Sequence, residues 1–594
     1  MSKFKYYRKA IALSITLKSR MSLIVSILGL GMAFFPMLIS LQLAVFSDGA
    51  QSLYQGEVAF RVVLISLLVL IGLYIAQTIF SFISSYYSTE DSLRINEYID
   101  KQALMLFSRV PLKYIENHDD FLKRVNLFRA YSGNKATGGI ALILNWISNL
   151  IAFFSIVFIL WLVSPWIVLI ILVTCIPAAI LTMMQKNETY DNRLYFSQYG
   201  NLSLHMSYRF RHDPGQKELR FFGLYPYLNK LWKGYVGTWI GERQKLTRKH
   251  TLGNGLTDLL RNGVYLAVII ITAIGIFANP DRGIGSLMLV ITAAGQLQSI
   301  TTRLLVDATG ITTDIRYMED FFVLLETEKE AYEATLQTPY EKADVVFRDV
   351  DFCYPNSEKK ALDGFNVTIR QGEKIAVVGA NGSGKSTFIN LLCGLYEPTS
   401  GSAEMNGVEI SANTAQVRQS VSVVFQNFCK YEDTLRNNIN ISAPEQTGED
   451  NDAFLAELLQ KVGADEVVAE HENALDEMIG VFAESGRNLS GGQWQKISIA
   501  RALYRRHACM YILDEPTAAL DPISEARIYR NFAELTGDKT TILISHRLGI
   551  TSVVDRILVF DEGKIVEDGS HEELMGQGGL YADMYKAQAK WYVE

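Results

Sequence analysis

The chain has 594 residues, a formal net charge of −7, 49% hydrophobic and 20% charged residues, and a mean hydropathy of +0.12. That much apolar content at this length excludes a disordered chain and a small disulfide scaffold, and asks for lipid around part of the protein. Residues 1–320 carry 31 Lys and Arg against 20 Asp and Glu, whereas residues 321–594 carry 25 against 43. The basic half is also the apolar one, with its charges between apolar runs, so no nucleic-acid partner is expected.

Lys3, Lys5, Arg8, Lys9, Lys18 and Arg20 open the chain with no acid among them, and 27 uncharged residues follow from Met21 to Ser47. The run is too long for the apolar core of a signal peptide and predicts a first membrane span. Val62–Thr89 is uncharged over 28 residues, and 136–185 over 50, with Ser164-Pro165 turning the chain in its middle. Two further runs, Asn262–Pro280 and Gly283–Thr302, are separated only by Asp281 and Arg282. About 20 helical residues cross a hydrocarbon core of roughly 30 Å, so six spans are predicted, at about 21–47, 62–89, 136–163, 166–185, 262–280 and 283–302.

Positive charge places the N-terminus and the segments 90–135 and 186–261 in the cytoplasm. The mixed polar and apolar texture of those segments predicts helices continuing past the lipid as a stalk, with turns at His118-Asp119-Asp120 and Asp213-Pro214-Gly215. Arg303, Asp307 and Asp314 follow the last run at helical spacing and are expected beyond the lipid. Gln42, Gln77, Asn145, Asn149, Gln296 and Gln298 lie within runs, where they could line a pathway or bridge helices. The five cysteines, Cys175, Cys353, Cys393, Cys429 and Cys509, show no paired spacing and read as free thiols.

The transmembrane domain is thus expected over 1–325, a polar linker over 326–344, and an α/β domain over 345–594. In the last, Lys374–Val378 reads as a buried strand running into Gly379-Ala380-Asn381-Gly382-Ser383-Gly384-Lys385-Ser386-Thr387 and an apolar helix. That order is strand, phosphate loop, helix. Glycines let backbone N–H groups crowd phosphate oxygens, Lys385 reaches the β- and γ-phosphates, and the Ser386 hydroxyl ligates Mg²⁺. A second apolar strand ends in Asp514-Glu515, with Asp514 placed for Mg²⁺ and Glu515 for taking a proton from attacking water. A third ends in Ser545-His546, so His546 is expected near the γ-phosphate at the same sheet edge.

Leu489-Ser490-Gly491-Gly492-Gln493, lying between the phosphate loop and Asp514-Glu515, resembles the signature of the ATP-binding cassette transporter superfamily. The resemblance covers the whole chain and implies a half-size exporter: an α-helical transmembrane bundle of six spans with long intracellular helices, then an α/β P-loop ATPase. It implies that Tyr354 stacks on adenine, that Gln426 touches Mg²⁺, and that Ser490, Gly491, Gly492 and Gln493 bind the γ-phosphate of ATP held by an opposite subunit. It also implies communication between sites through Asp521, and contact of Glu484 with the intracellular helices. Trp494 departs from the family's pattern. One phosphate loop and one signature per chain imply a dimer, expected to be a homodimer, with a heterodimer as the other possibility.

ATP-driven export of an amphipathic solute (peptide, drug-like or lipid-like) across a bacterial inner membrane is the expected function, and a flippase for a lipid or lipid-linked saccharide the alternative. Only 20 residues precede the first run, so no leader-cutting peptidase is expected ahead of it. Glu515 argues against an ATP-gated channel, and the long stalks against an importer.

Overall fold

The computed structural model describes the chain except residues 1, 118–120, 122–124, 126–138, 212, 279–282, 328–337, 356, 447–450, 470–473, 481–487, 516–521, 546–552 and 594. Internal packing divides it into two units, Met1–Ser108 with Asp119–Thr327, and Arg109–His118 with Glu328–Glu594.

The first unit is helical. Its elements are α1 (Ser2–Leu17), α2 (Arg20–Met32), α3 (Phe35–Tyr54) and α4 (Phe60–Phe107). A short helix, α5 (Leu112–Asn117), follows and belongs to the second unit. The first unit resumes with α6 (Gly139–Val163), α7 (Pro165–Asp191), α8 (Arg193–Arg211), α9 (Asp213–Phe221), α10 (Tyr225–Ala278) and α11 (Ile284–Leu325). Among the described residues, six helical segments are long and apolar enough to cross a membrane: Arg20–Tyr54, Phe60–Phe107, Asn145–Val163, Pro165–Asp191, Tyr225–Gly275 and Ile284–Ile311.

Local chemistry sets the breaks. Ser19, in extended backbone conformation, accepts the Ser22 N–H at 3.1 Å and starts α2. Pro165 at the first turn of α7 needs no N–H partner there, so one residue, Ser164, suffices to reverse the chain. Charges from Glu90 onward end the apolar run but not the helix. α4 continues to Phe107 and α10 spans 54 residues, roughly 72 Å and 81 Å at 1.5 Å per residue.

α11 is the central helix of this unit, packed on α3, α6 and α7. Its Ala293, Ala294 and Leu297 meet Ile156 and Leu160 of α6 and Val168 and Ile171 of α7, the alanines allowing close approach. Polar residues join the helices inside the bundle. The Gln42 amide donates to Ser66 Oγ at 3.0 Å, and the Ser40 hydroxyl to Gln296 Oε1 at 3.1 Å. Asp48 Oδ1 accepts the Gly285 N–H at 2.6 Å, so α3 caps the start of α11. At the other end of α11, Tyr6 of α1 donates to Glu326 at 2.9 Å and its ring stacks on Phe322.

The second unit is built on strands β1 (Val345–Cys353), β2 (Lys360–Ile369), β3 (Lys374–Gly379), β4 (Ser400–Met405), β5 (Val408–Glu409) and β6 (Val421–Val424). The later strands are β7 (Asp433–Thr434), β8 (Met478–Ile479), β9 (Met510–Asp514), β10 (Thr540–Ile544), β11 (Arg556–Asp561) and β12 (Lys564–Gly569). One sheet has the order β2-β1-β4-β5 and is antiparallel; the larger has the order β12-β11-β3-β10-β9-β6. In the larger sheet only β12 pairs antiparallel. A parallel strand covered on both faces must be apolar throughout, and β3 shows it. Ile375 and Val377 enter one core with Phe365 and Phe388, while Ala376 and Val378 enter the other with Ile497 and Trp494. All five cysteines are free thiols.

Candidate active site

The carboxyl ends of β3, β9 and β6 carry the residues that the sequence singled out. β3 ends at Gly379, and the loop 380–384 leads into the helix α12 (Lys385–Leu392). Gly379 has φ 151° and Gly384 φ 105°, backbone that an L side chain rarely adopts. A Cβ on Gly379 would stand 2.2 Å from Phe560 O, and one on Gly384 2.8 Å from Ala361 O. Both positions therefore require glycine, as a loop that presents N–H groups to an anion does. Asn381 and Gly382 form the exposed crest of the loop, whereas Ser383 is buried inside it.

Lys385 folds back over the loop: its ammonium donates to Gly379 O and Ala380 O, each at 2.8 Å, and to Ser383 Oγ at 3.4 Å. Burial pushes this ammonium below the ordinary lysine value, while the negative charges of Glu515 and Asp514 oppose that shift. β10 lies between β3 and β9, so Gly379 and Asp514 end strands about 10 Å apart. The Ser386 hydroxyl, at the start of α12, lies close enough to Asp514 to favour the ionised form of its carboxyl.

Asp514 is 5% exposed, and burial, reinforced by the charge of Glu515, raises its pKa to about 6. Its Oδ1 is buried with no hydrogen-bond partner. A divalent cation fits this spot, because an orphaned carboxylate oxygen beside a serine hydroxyl is an incomplete hard-oxygen ligand set. Glu515 follows with φ 48°, in the left-handed region. It is fixed there by its N–H donating to Ile544 O at 3.0 Å and by the Gln426 amide donating to its Oε2 at 2.9 Å. Gln426, just past β6, thus meets Glu515 across the sheet edge.

Tyr354, just past β1, lies against α12, its hydroxyl 3.1 Å from Thr387 Oγ1 and accepting from Asn390 at 3.3 Å. Edge-on contacts with Phe352 and Tyr396 hold its ring. Asn390 and Tyr396 were not singled out by sequence, and only an apolar helix with one amide aimed back at the aromatic could have pointed to the former.

The signature forms the start of another helix, α13 (Gly491–Tyr504). Ser490 caps it reciprocally: the Gln493 N–H donates to Ser490 Oγ at 3.2 Å and the Ser490 N–H to Gln493 Oε1 at 2.9 Å. Gly491 and Gly492 then keep the helix start open to an anion. α13 packs on β6, whereas α12 packs on β2 and β3. Three strand spacings, roughly 14 Å, separate β3 from β6, so this signature and this phosphate loop stand at well-separated strands of the sheet edge. Trp494 is 3% exposed and fills the core between α13 and its neighbours. His546, Asp521 and Glu484 lie outside the described residues.

The family profile described as "ABC transporter" matches residues 362–518. The subtilin transport ATP-binding protein SpaT of Bacillus subtilis is 33% identical over 534 residues, 89% of this chain and 85% of that one. The nisin transport ATP-binding protein NisT of Lactococcus lactis subsp. lactis is 28% identical over 524 residues, 86% of this chain and 85% of its own length. An ATP-dependent lipid A-core flippase of Vibrio vulnificus is 38% identical over 271 residues, 46% of this chain and 45% of that one. The fold matches a bacterial Atm1-family ABC exporter with ATP bound, with a TM-score of 0.79 at 21% identity, over 96% of this chain and 98% of the other. Use of ATP and Mg²⁺, dimeric assembly and transport of a peptide- or lipid-like amphipathic molecule go with that kinship. The chain belongs to the ABC transporter superfamily, as a half-size exporter whose multi-pass transmembrane domain is fused to a cytoplasmic ATPase cassette.

Proposed function

We propose that this protein is a homodimeric ATP-driven exporter of an amphipathic peptide in a bacterial inner membrane. The observation that carries the peptide reading is coverage: relatives named for subtilin and nisin transport match along 85% of their own length, spans included. The lipid-flippase reading stands beside it, because several relatives are lipid A-core flippases, matched over 45–62% of their length.

In the proposed mechanism the loop 379–384 and the start of α12 hold the phosphates of ATP through backbone N–H groups, and Lys385 leaves the Gly379 and Ala380 carbonyls for the β- and γ-phosphates. Ser386 and Asp514 would hold Mg²⁺, with Gln426 beside them, and an ion bound there would neutralise charge developing on the phosphates. Glu515 takes the proton of the attacking water, with Gln426 orienting its carboxylate, and His546 is assigned to assist at the γ-phosphate from its place in the sequence after β10. The separation of signature from phosphate loop on one sheet supports a site shared between two chains, each lending Ser490–Gln493 to its partner's ATP. Closure of the cassettes on two ATP molecules, followed by hydrolysis, shifts the spans between inward and outward access.

Replacing Glu515 by Gln is expected to leave ATP binding intact and to lower steady-state turnover at least about 100-fold, the usual share of a general base. Unimpaired ATPase in that variant refutes the assignment. Cargo is read in parallel: ATPase in lipid nanodiscs stimulated by an amphipathic peptide supports export, and stimulation by lipid A core alone supports the flippase.

A further inference from the structure

The first unit holds a cavity of about 600 Å³ among α2, α4, α6 and α11, a size typical of pockets for drug-sized ligands. Its charged residues behave in two ways. Lys18 and Asp91 are buried against each other at 3.5 Å, Lys18 also donating to Ser26 Oγ and Asp91 accepting from Ser22, so that pair is closed. Arg303 and Asp307 of α11 are not. Arg303 is exposed and, among the described residues, makes no hydrogen bond or ion pair. Asp307 is half-buried and takes one bond, from the Asn149 amide to its Oδ2 at 3.2 Å. Both line the cavity, yet no ion pair joins them.

Helix geometry explains why. The two lie four residues apart, one turn or about 6 Å along one face, but with the cation nearer the N-terminus, the poorer order for pairing across a turn. Asn149 holds the Asp307 carboxylate toward α6, and Lys186 of α7, which donates to Val306 O at 2.6 Å, is no part of the wall. An anion and a cation thus stand one turn apart beside open space, neither spent on the other. The wall beyond them is uncharged and polar. Gln77, Ser81, Ser84 and Ser88 recur along one face of α4 over about 16 Å, and α6 adds Asn145. The Gln77 and Asn145 side-chain amides have no hydrogen-bond partner among the described residues. Acyl chains lying there would strip water from amides and hydroxyls and return no hydrogen bond. About five residues of extended peptide span that length and supply N–H and C=O groups throughout.

We propose that Arg303 and Asp307 form a two-point clamp for peptide cargo that carries a carboxylate and an ammonium side by side. Glu and Lys two residues apart on one face of an extended chain, about 7 Å from each other, meet that spacing. Arg303 takes the carboxylate, Asp307 Oδ1 takes the ammonium, and the α4 and α6 wall meets the adjoining backbone. The proposal rests on the peptide reading above and adds the two residues that select the cargo.

The test measures binding of fluorescent amphipathic peptides to the full-length protein in nanodiscs, the peptides differing only in one segment: Lys-Ser-Glu, Lys-Ser-Gln or Gln-Ser-Glu. Lys-Ser-Glu should bind at least about fivefold more tightly than either of the others, a modest share of two charge-assisted contacts. Arg303→Gln should bring Lys-Ser-Glu within about twofold of Lys-Ser-Gln, and Asp307→Asn, which keeps an acceptor for Asn149, should bring it within about twofold of Gln-Ser-Glu. The reversed variant Arg303→Glu/Asp307→Lys keeps the net charge but puts the acid first, the order that pairs with itself, and should bind all three alike and weakly. Basal ATPase checks that each variant is folded; should a single variant fail that check, the reversed pair reports instead. Preference for a charge that survives loss of the residue assigned to it, or no preference in the unaltered protein, overturns the clamp while leaving peptide export standing. Displacement of the peptide by dihexanoyl phosphatidylethanolamine, which carries the same two charges, at lower concentration than by unlabelled peptide gives the clamp to a lipid headgroup and overturns both readings. Failure of the unaltered protein to bind any of the peptides overturns both as well.

Discussion

Asp514 and Glu515 sit side by side under opposite constraints. Burial raises Asp514 from the ordinary 3.8 to about 6. Between those values the unfolded chain ionises first, so stability falls as pH rises through the window and remains lower by roughly 3 kcal/mol at neutral pH. Asp514→Asn should therefore raise the thermal transition of nucleotide-free protein at pH 7.5 and flatten its dependence between pH 4 and 6; a transition unchanged in both respects counts against the buried charge. The left-handed backbone of Glu515 adds about 1–3 kcal/mol of strain, held in place by Gln426 and Ile544 O. Trp494 works in the other direction. It is buried among Leu455, Ile497 and Leu503, so Trp494→Ala should lower cassette stability by about 3–5 kcal/mol in denaturant unfolding, and a loss below 1 kcal/mol would contradict its core role. The motif Gly379–Thr387 was legible because glycine and lysine at that spacing answer to phosphate chemistry. Trp494 was not, because whether an aromatic caps or fills depends on neighbours far away in sequence, such as Leu455.

Between residues and domains the informative element is α5. Four residues after α4 ends at Phe107, this helix packs into the cassette unit, with Leu112 against the core and Tyr396 donating to Glu116 at 2.5 Å. Burial first, then the Glu116 bond and charge, raises the Tyr396 phenol well above its usual value, so it remains a donor at every working pH. Under the proposed mechanism, movement of the cassette would pass to the spans along the chain that joins this helix to α4. Tyr396→Phe is expected to retain basal ATPase and to lose most of the stimulation by cargo, read as the ratio of ATPase with and without peptide; an unchanged ratio would remove this bond from the coupling path. The cytoplasmic position of this segment was legible from its basic charge, but its docking was not, since a six-residue helix has no periodicity to read. The reach of α4 and α10 was equally hidden, because Glu90 and its neighbours end an apolar run while remaining good helix formers. Gln42 and Gln296 proved to bridge helices, Gln77 and Asn145 line a cavity, and Asn149 does both, its amide donating to Asp307 of α11. Sequence spacing cannot tell those uses apart, because which face a polar residue takes is set by the packing of other spans.

At the scale of the molecule, the six apolar segments and the two-core cassette answer to different solvents, lipid around one and water around the other. The split of charge along the chain already announced that division. What charge could not announce is that one cassette displays its phosphate loop and its signature helix at separate strands of one sheet edge. The central claim is that ATP cleavage at these residues moves an amphipathic molecule through these spans. Proteoliposomes with outward-facing cassettes, loaded from outside with a labelled amphipathic peptide, test it most directly. Peptide is expected to accumulate in the lumen only with ATP and Mg²⁺ present and only when Glu515 is intact. Equal accumulation by Glu515→Gln, or ATP cleavage with no peptide or lipid crossing the membrane, would contradict it.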